Sequence, residues 1–280
     1  MILIVESGST KADWILVDKE GIKCSFKTKG WNIMLLNKEE MFSRLSNLST
    51  LEPYLESVNS VYFYTPGVAV VDSVVDLKQT LASKFINAKI NVESDLLAAA
   101  HSVYKGIPLF ISILGTGSNI AFYDGEELQQ TSPSLGYILG DEGSGASLGK
   151  RILKAYLHQS LPKDLYLSFS KSYSISKENV LKSVYTKEAP NRFLASYVPF
   201  LLDNKNHEFA RNLVKEEFRS YFKIHLLRNN VIHDFPISFV GSVAFLFQDI
   251  LIELCSQYDI TVDSFIQNPL VGLVEYHSKG

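Results

Sequence analysis

Cysteine is scarce: Cys24 and Cys255 are the only two in 280 residues. Two thiols so far apart exclude a disulfide framework and a clustered metal site, and they point to a reducing compartment. Each sits among apolar neighbours and reads as core. Neither sign of charge is in excess, with 27 basic against 30 acidic residues and a net charge of −3. That balance provides no field to draw the chain onto DNA or RNA, so nucleic acid is not an expected partner. No apolar run approaches the roughly 20 residues of a membrane span. An apolar strand begins at residue 2, which leaves no room for a leader. A soluble cytoplasmic protein without a membrane partner is the expectation. The six histidines lack metal-ligand spacing, and no Ser–His–Asp order or nucleophile elbow supports covalent serine hydrolysis. His101 lies on an Ala-rich stretch and reads as packed. What the chain does have is apolar residues, 46 % of the total, enough for two cores of ordinary size.

The first segment, Ile2-Leu3-Ile4-Val5-Glu6-Ser7-Gly8-Ser9-Thr10-Lys11, runs a strand into a glycine turn and back out through Trp14-Ile15-Leu16-Val17. Such a hairpin tip can wrap backbone N–H groups around phosphate oxygens. Ser9 and Thr10 add hydroxyls, Lys11 adds charge, and Glu6 places a carboxylate at the strand end, where Mg²⁺ is a natural companion of phosphate. A plain surface hairpin explains this segment equally well. A second copy favours the phosphate reading: Leu109–Leu114 is a strand, Gly115-Thr116-Gly117-Ser118 a turn, and Asn119–Tyr123 the returning strand. Neither copy is a Walker loop or a dinucleotide fingerprint, because the glycines lead into strands and not helices.

The pattern predicts strands near 2–6, 14–18 and 22–28, then helices around 38–45 and up to about 58, a strand at 61–64, a helix at 72–85, a strand at 89–92 and a helix at 95–104. The plan repeats from 109 with strands at 109–114, 119–124 and near Leu128. Helices follow at 144–158, 177–185, 191–202 and 207–228, then a strand at 237–240 and a helix at 243–256. In the 207–228 stretch, Ala210, Val214, Phe218, Tyr221 and Phe222 mark the core side. A three-strand start followed by alternating strands and helices makes the class α/β, with mixed sheets under helical cover. Lys105-Gly106-Ile107-Pro108 is a natural stop between two domains, 1–107 and 108–268.

Three further segments bear polar residues in suggestive places. Asp95 follows a short strand and opens an Ala-rich helix; as a pattern, Ser94 or Asp95 is first of all a helix N-cap, which is compatible with a functional carboxylate. Gly140-Asp141-Glu142-Gly143-Ser144-Gly145 is the densest polar glycine segment and reads as a site, with two carboxylates beside a backbone that a ligand can approach. Gly30-Trp31-Asn32 is either a sugar-reading loop with an aromatic platform or a turn anchored by a half-buried Trp.

Taken in order, these motifs resemble those of the N-acetylglucosamine kinase family, allied to the ATPase activators of benzoyl-CoA and 2-hydroxyacyl-CoA dehydratase-type enzymes within the actin-like ATPase and sugar kinase superfamily. Glu6–Lys11 and Leu114–Asn119 resemble its two phosphate motifs, Ser94-Asp95 the segment with its catalytic aspartate, Leu139–Gly145 its signature, and Val240-Gly241-Ser242-Val243-Ala244 its adenosine motif. The resemblance implies two ribonuclease-H-like domains with an interdomain cleft, the first completed by a C-terminal helix within 269–280. A homodimer is one allowed state. It implies ATP, Mg²⁺ at Glu6, and an amino sugar. Asp95 would face the accepting 6-hydroxyl. Asn32, Asn119 and Asp141 would meet the sugar hydroxyls; separately, Glu142 is placed to reach the ammonium of a glucosamine substrate. Gly8, Ser9, Thr10, Lys11, Gly115, Thr116 and Gly117 would meet phosphates, and Gly241 and Ser242 the adenosine. Trp31 and Tyr137 are candidates for the acetamide wall. The family usually carries Asp where this chain has Glu6, and an added methylene moves any ion held there.

N-acetylglucosamine is the substrate this implies, with glucosamine and N-acetylmuramic acid as alternatives. A radical-enzyme ATPase activator is disfavoured because Cys24 and Cys255 have no paired spacing for an iron–sulfur cluster. A non-catalytic amino-sugar sensor has only Glu6 in its favour.

Overall fold

The computed structural model describes residues 1–8 and 11–278, and the chain divides into two compact units: Met1–Lys105 with the segment from Pro269 onward, and Gly106–Asn268. In the first, strands β1 (Ile2–Ser7), β2 (Lys11–Asp18) and β3 (Gly21–Lys29) form an antiparallel meander. Helix α1 (Lys38–Ser46) and a 3₁₀ segment (Ser49–Ser57) lead to β4 (Ser60–Thr65), α2 (Val71–Lys84), β5 (Lys89–Ser94) and α3 (Asp95–Val103). The sheet order is β3-β2-β1-β4-β5, with β4 parallel to β1 and β5 parallel to β4. The central strand β1 is apolar on both faces because both are covered. Leu3 and Val5 pack with Trp14, Trp31, Phe63, Leu77 and Phe85, while Ile4 packs on the other face with Ile15, Tyr64 and Ala98. This is the two-residue alternation of a strand.

The second unit contains β6 (Leu109–Leu114), β7 (Ser118–Tyr123), β8 (Leu128–Gln130), α4 (Gly136–Leu139), α5 (Gly145–Leu157), α6 (Lys163–Ser172), α7 (Lys177–Tyr185), α8 (Pro190–Ala195), α9 (Val198–Asp203) and α10 (Glu208–Tyr221). A π turn (Phe222–Leu226), β9 (Ile237–Val240), α11 (Ser242–Leu246), α12 (Gln248–Gln257) and β10 (Val262–Ile266) complete it. Its sheet order is β10-β9-β6-β7-β8, the same plan as the first: an antiparallel three-strand meander extended on its first strand by two parallel strands.

The final helix α13 (Leu270–Ser278) packs on the first unit, where Leu273 joins the face of Ile4 and Ala98. Gly272 makes that contact close, since a Cβ there would stand 2.1 Å from the Ser102 carbonyl oxygen. Tyr64 Oη joins His101 Nδ1 at 3.0 Å and His277 Nε2 at 2.7 Å across the same contact.

Three expected helices are not continuous. The 191–202 stretch divides into α8 and α9, because Pro199 cannot sit in a helix interior and instead takes the first turn of α9. The 207–228 stretch passes from α-helix to π turn at Phe222. The 243–256 stretch divides at Phe247, whose ring is fully buried. Helix α6 and strand β10 had no expected counterpart. β10 is short, irregular in register and carries Asp263 and Ser264, both engaged by the Ser238 hydroxyl.

Candidate active site

On the first unit the candidate residues cluster at the ends of β1, β4 and β5. The Gly8 N–H donates to the Lys11 carbonyl at 2.9 Å and closes the hairpin; Ser9 and Thr10 lie outside the described residues. The Ser7 hydroxyl accepts the Trp31 N–H at 2.7 Å, which ties the hairpin to the Gly30–Asn32 turn. Lys11 Nζ stands 2.9 Å from Asp13 Oδ2, so its charge is spent on a nearly buried carboxylate. Glu6 is half-buried. Burial, then the neighbouring Asp13 and also Asp95, push its carboxyl up to about 7, with Lys11 opposing.

Ser94 is the N-cap of α3: its hydroxyl accepts the Leu97 N–H at 3.0 Å. Asp95 is therefore not needed as the cap. Burial raises its pKa, while the N–H groups of Leu96 and of Asp95 itself hold it down. A carboxylate made more basic, on a rigid strand–helix junction, suits proton abstraction. Asn32 Oδ1 accepts the Met34 N–H at 3.1 Å, and Nδ2 is the side chain's donor. Trp31 is 1 % exposed and packs edge-on to Trp14. It is core, which corrects its candidacy as a platform or acetamide wall. Tyr137 is partly buried against the core of the second unit.

On the second unit, the Gly115–Gly117 turn is held from beneath. The Gly115 N–H donates to the Gly117 carbonyl at 3.0 Å. The first amides of α5 then reach up: Gly145 N–H to the Gly115 carbonyl at 2.8 Å, and Ala146 N–H to the Thr116 carbonyl at 3.0 Å. Gly241 crosses the same point with φ 115°, where a Cβ would stand 2.5 Å from the Leu114 carbonyl oxygen, so the backbone approach requires glycine. The segments Gly241-Ser242 and Gly115–Gly117 are thus neighbours, with Ser242 exposed beside Gly241.

Asp141, nearly buried, adopts φ 61° and directs Oδ1 to the Ser118 N–H at 3.3 Å. Burial raises its carboxyl, Glu142 adds to this, and the Ser118 N–H, Lys150 and His225 oppose it. Asn119 Oδ1 accepts the Ile120 N–H at 2.9 Å and Gln130 Nε2 at 3.1 Å, and its Nδ2 is the side chain's donor. Glu142 Oε2 meets His225 Nε2 at 2.9 Å, and His225 Nδ1 meets the Ser132 hydroxyl at 2.7 Å. Asn119, Ser132, Asp141, Tyr221 and His225 line one small cavity. Sequence reading missed Ser132, Glu217, Tyr221 and His225 as site neighbours. The usable signal was a polar residue every fourth position, at 217, 221 and 225, on the apolar side of an amphipathic stretch.

Among the described residues, no group of three or more His, Cys, Asp or Glu side chains could hold a metal by itself. No helix among them is long and apolar enough to cross a membrane. Glu6 nevertheless fits a divalent cation: it is a hard oxygen donor whose charge is destabilised by two other carboxylates. Mg²⁺ ordinarily takes only one or two carboxylates beside phosphate and water.

Two mixed five-strand sheets of identical plan, each with a glycine turn after its first strand, define an actin-like ATPase fold of the sugar-kinase kind. The chain matches no family model and no curated protein. Among solved structures, a Porphyromonas gingivalis protein described as a proposed N-acetylglucosamine kinase is 34 % identical with a TM-score of 0.95, the match covering 100 % of this chain and 99 % of that one. A Chromobacterium violaceum protein described in the same terms is 17 % identical with a TM-score of 0.68, covering 98 % of each chain. A Streptomyces griseus glucokinase of the ROK family, solved with glucose and AMPPNP, is 16 % identical with a TM-score of 0.57 and covers 98 % of this chain and 97 % of that one. The last two matches show the fold. The chain belongs to the N-acetylglucosamine kinase family, whose enzyme class is the ATP-dependent sugar kinase.

Proposed function

We propose that this chain transfers the γ-phosphoryl group of ATP to an amino sugar, with N-acetylglucosamine as substrate and its 6-hydroxyl as acceptor. The observation that carries this reading is Asp95: a carboxylate relieved of capping by Ser94, raised by burial, and fixed at the junction of β5 and α3. Phosphoryl transfer asks the protein for positioning and charge neutralisation more than for covalent help. Asp95 orients the 6-hydroxyl and takes its proton as the new P–O bond forms. On the first unit, Gly8, Ser9 and Thr10 supply phosphate donors and the Asn32 amide donates to a sugar hydroxyl. Lys11 remains with Asp13 and holds the hairpin. On the second unit, Gly115, Thr116 and Gly117 supply phosphate donors, Gly241 and Ser242 line the adenosine, Asn119 donates to a sugar hydroxyl, and Asp141 accepts from one. Glu142, anchored by His225, presents its remaining oxygen. Glu6 would hold Mg²⁺, which would supply neutralisation of phosphate charge.

Replacement of Asp95 by Asn tests the assignment. Turnover should fall by about 10²–10⁴-fold, the range for losing a general base, while ATP affinity by calorimetry stays within about twofold. Full turnover in that variant would remove Asp95 from the role. A protein that binds N-acetylglucosamine and releases no ADP would move the reading to a sensor, for which Glu6 at the usual Asp position is the supporting feature.

A further inference from the structure

Helix α10 and the π turn after it do more than fill the core. Glu217, Tyr221 and His225 fall four residues apart, and each meets the loop Gly140–Gly145. Glu217, 5 % exposed, accepts the Gly143 N–H through Oε1 at 3.0 Å, while its Oε2 is balanced by Arg151 Nη1 at 3.2 Å. Tyr221 lies beneath Gly143 so closely that a Cβ on that glycine would stand 3.0 Å from the Tyr221 Cβ. Its hydroxyl is fixed 2.6 Å from the Ser112 hydroxyl on β6. His225 holds Glu142 on one ring nitrogen and Ser132 on the other. The i→i+5 bond from Leu227 N–H to the Phe222 carbonyl, 2.8 Å, closes the π turn that carries His225. Such single π turns within helices often mark functional sites.

The loop itself is strained. Asp141 with φ 61° and Gly143 with φ 76° both occupy the left-handed region, and a non-glycine residue persists there only where its surroundings over-determine it. A buried carboxylate is also a costly way to satisfy one N–H group if fold stability were its only purpose.

We propose that Glu217, Tyr221 and His225 are positioning residues that set the geometry of Asp141 and Glu142 toward the sugar while touching no reacting atom. The proposal rests on the reading of that loop as the sugar site.

The test compares the full-length parent with Glu217→Ala, Glu217→Gln and His225→Ala, using two readouts. The first is amide hydrogen exchange at Gly143 in the ligand-free protein. The second is steady-state kinetics with N-acetylglucosamine and ATP varied separately. Glu217→Ala should speed exchange at Gly143 by about tenfold or more and raise the sugar KM by about tenfold, the scale of one lost buried hydrogen bond. The ATP KM should move by less than about twofold. Glu217→Gln keeps an acceptor oxygen and should recover most of both effects. His225→Ala should raise the sugar KM alone. Unchanged exchange and sugar KM in a folded Glu217→Ala protein would overturn the proposal, as would equal changes in the two KM values. If Glu217→Ala does not fold, Glu217→Gln and His225→Ala decide the matter, and parent-like sugar KM in His225→Ala overturns it. A parent that phosphorylates no sugar would sink the kinase reading instead, and exchange at Gly143 would still judge whether Glu217 holds the loop.

Discussion

The two units share one strand plan and differ in how they hold their glycine turns and in what they present beside them. In the first, the residues around the turn are charged: burial first, then the neighbouring carboxylates of Asp13 and Asp95, raise the Glu6 pKa against the pull of Lys11, and burial raises that of Asp95. In the second, the turn is supported almost wholly by backbone, with the amides of Gly145 and Ala146 under the carbonyls of Gly115 and Thr116, and Gly241 pressed on Leu114. One strand plan thus carries raised carboxylates beside the turn of one unit and a backbone-held turn in the other. Backbone dipoles cost no reorganisation when charge develops, whereas carboxylates can change protonation, and the division follows from that difference.

The largest expected effect comes from breaking the close contacts that give each half its cover. A Cβ at Gly149 would stand 1.8 Å from the Leu194 carbonyl oxygen, where α5 meets α8. Gly149→Ala should cost about 3 kcal/mol or more through enforced backbone movement. Gly272→Ala, whose Cβ would meet Ser102 at 2.1 Å, should act similarly but on the first unit. Urea unfolding followed by Trp14 and Trp31 fluorescence (both in the first unit) and by far-ultraviolet circular dichroism would separate the two. Parent-like midpoints in both variants would contradict the packing described.

Next in size is the pH contrast within the first unit. Glu6 has a folded value of about 7 against an ordinary 4.5. Its folded state binds the extra proton between those values, so its contribution to stability is present below pH 4.5 and is lost as pH rises through 7. Glu6→Gln should therefore raise Tm at pH 8, leave it unchanged near pH 4, and abolish most turnover. His101 and His277 run the other way. Burial, joined at His277 by the nearby His101, lowers both from 6.5 to about 4. Their neutral rings favour the folded state above pH 6.5, and that contribution is lost as pH falls through 4. His277→Phe should lower Tm at pH 8 and lose its effect near pH 4. Melts at several pH values would show the two slopes, and slopes of the same sign would break the comparison.

Much of this organisation is legible in the chain. The glycine turns, the three-strand starts and the signature glycines are local features, and local sequence carries them. The assignment of Ser94 as cap also lies within four residues. What could not be read is tertiary: Trp31 looked equally like a platform or a core residue because only the packing of Trp14 and Phe63 decides it. Glu217 and His225 act on residues 74 and 83 positions away, and no pattern in α10 says which loop its polar residues meet. Strand β10 fails the alternation test because it is short, irregular in register and carries Asp263 and Ser264, whose side chains meet the Ser238 hydroxyl.

The smallest effect is expected at Lys11. It is half-exposed, and its partner Asp13 also has Lys27 at 3.6 Å, so a cation stays beside that carboxylate when Lys11 is removed. Lys11→Ala should change stability by less than about 1 kcal/mol and the ATP KM by less than about fivefold. A larger loss of ATP affinity would place Lys11 on the phosphates and make the first half's turn more like a phosphate clamp than a carboxylate cluster.

The central proposal is that this chain phosphorylates an amino sugar. ADP release measured across N-acetylglucosamine, glucosamine, N-acetylmuramic acid, N-acetylmannosamine and glucose, with the product position read by phosphorus–proton NMR, tests it most directly. The expected result is the highest kcat/KM for N-acetylglucosamine and a phosphate on its 6-hydroxyl. Preference for glucose, or a phosphate at any other position, would contradict the account.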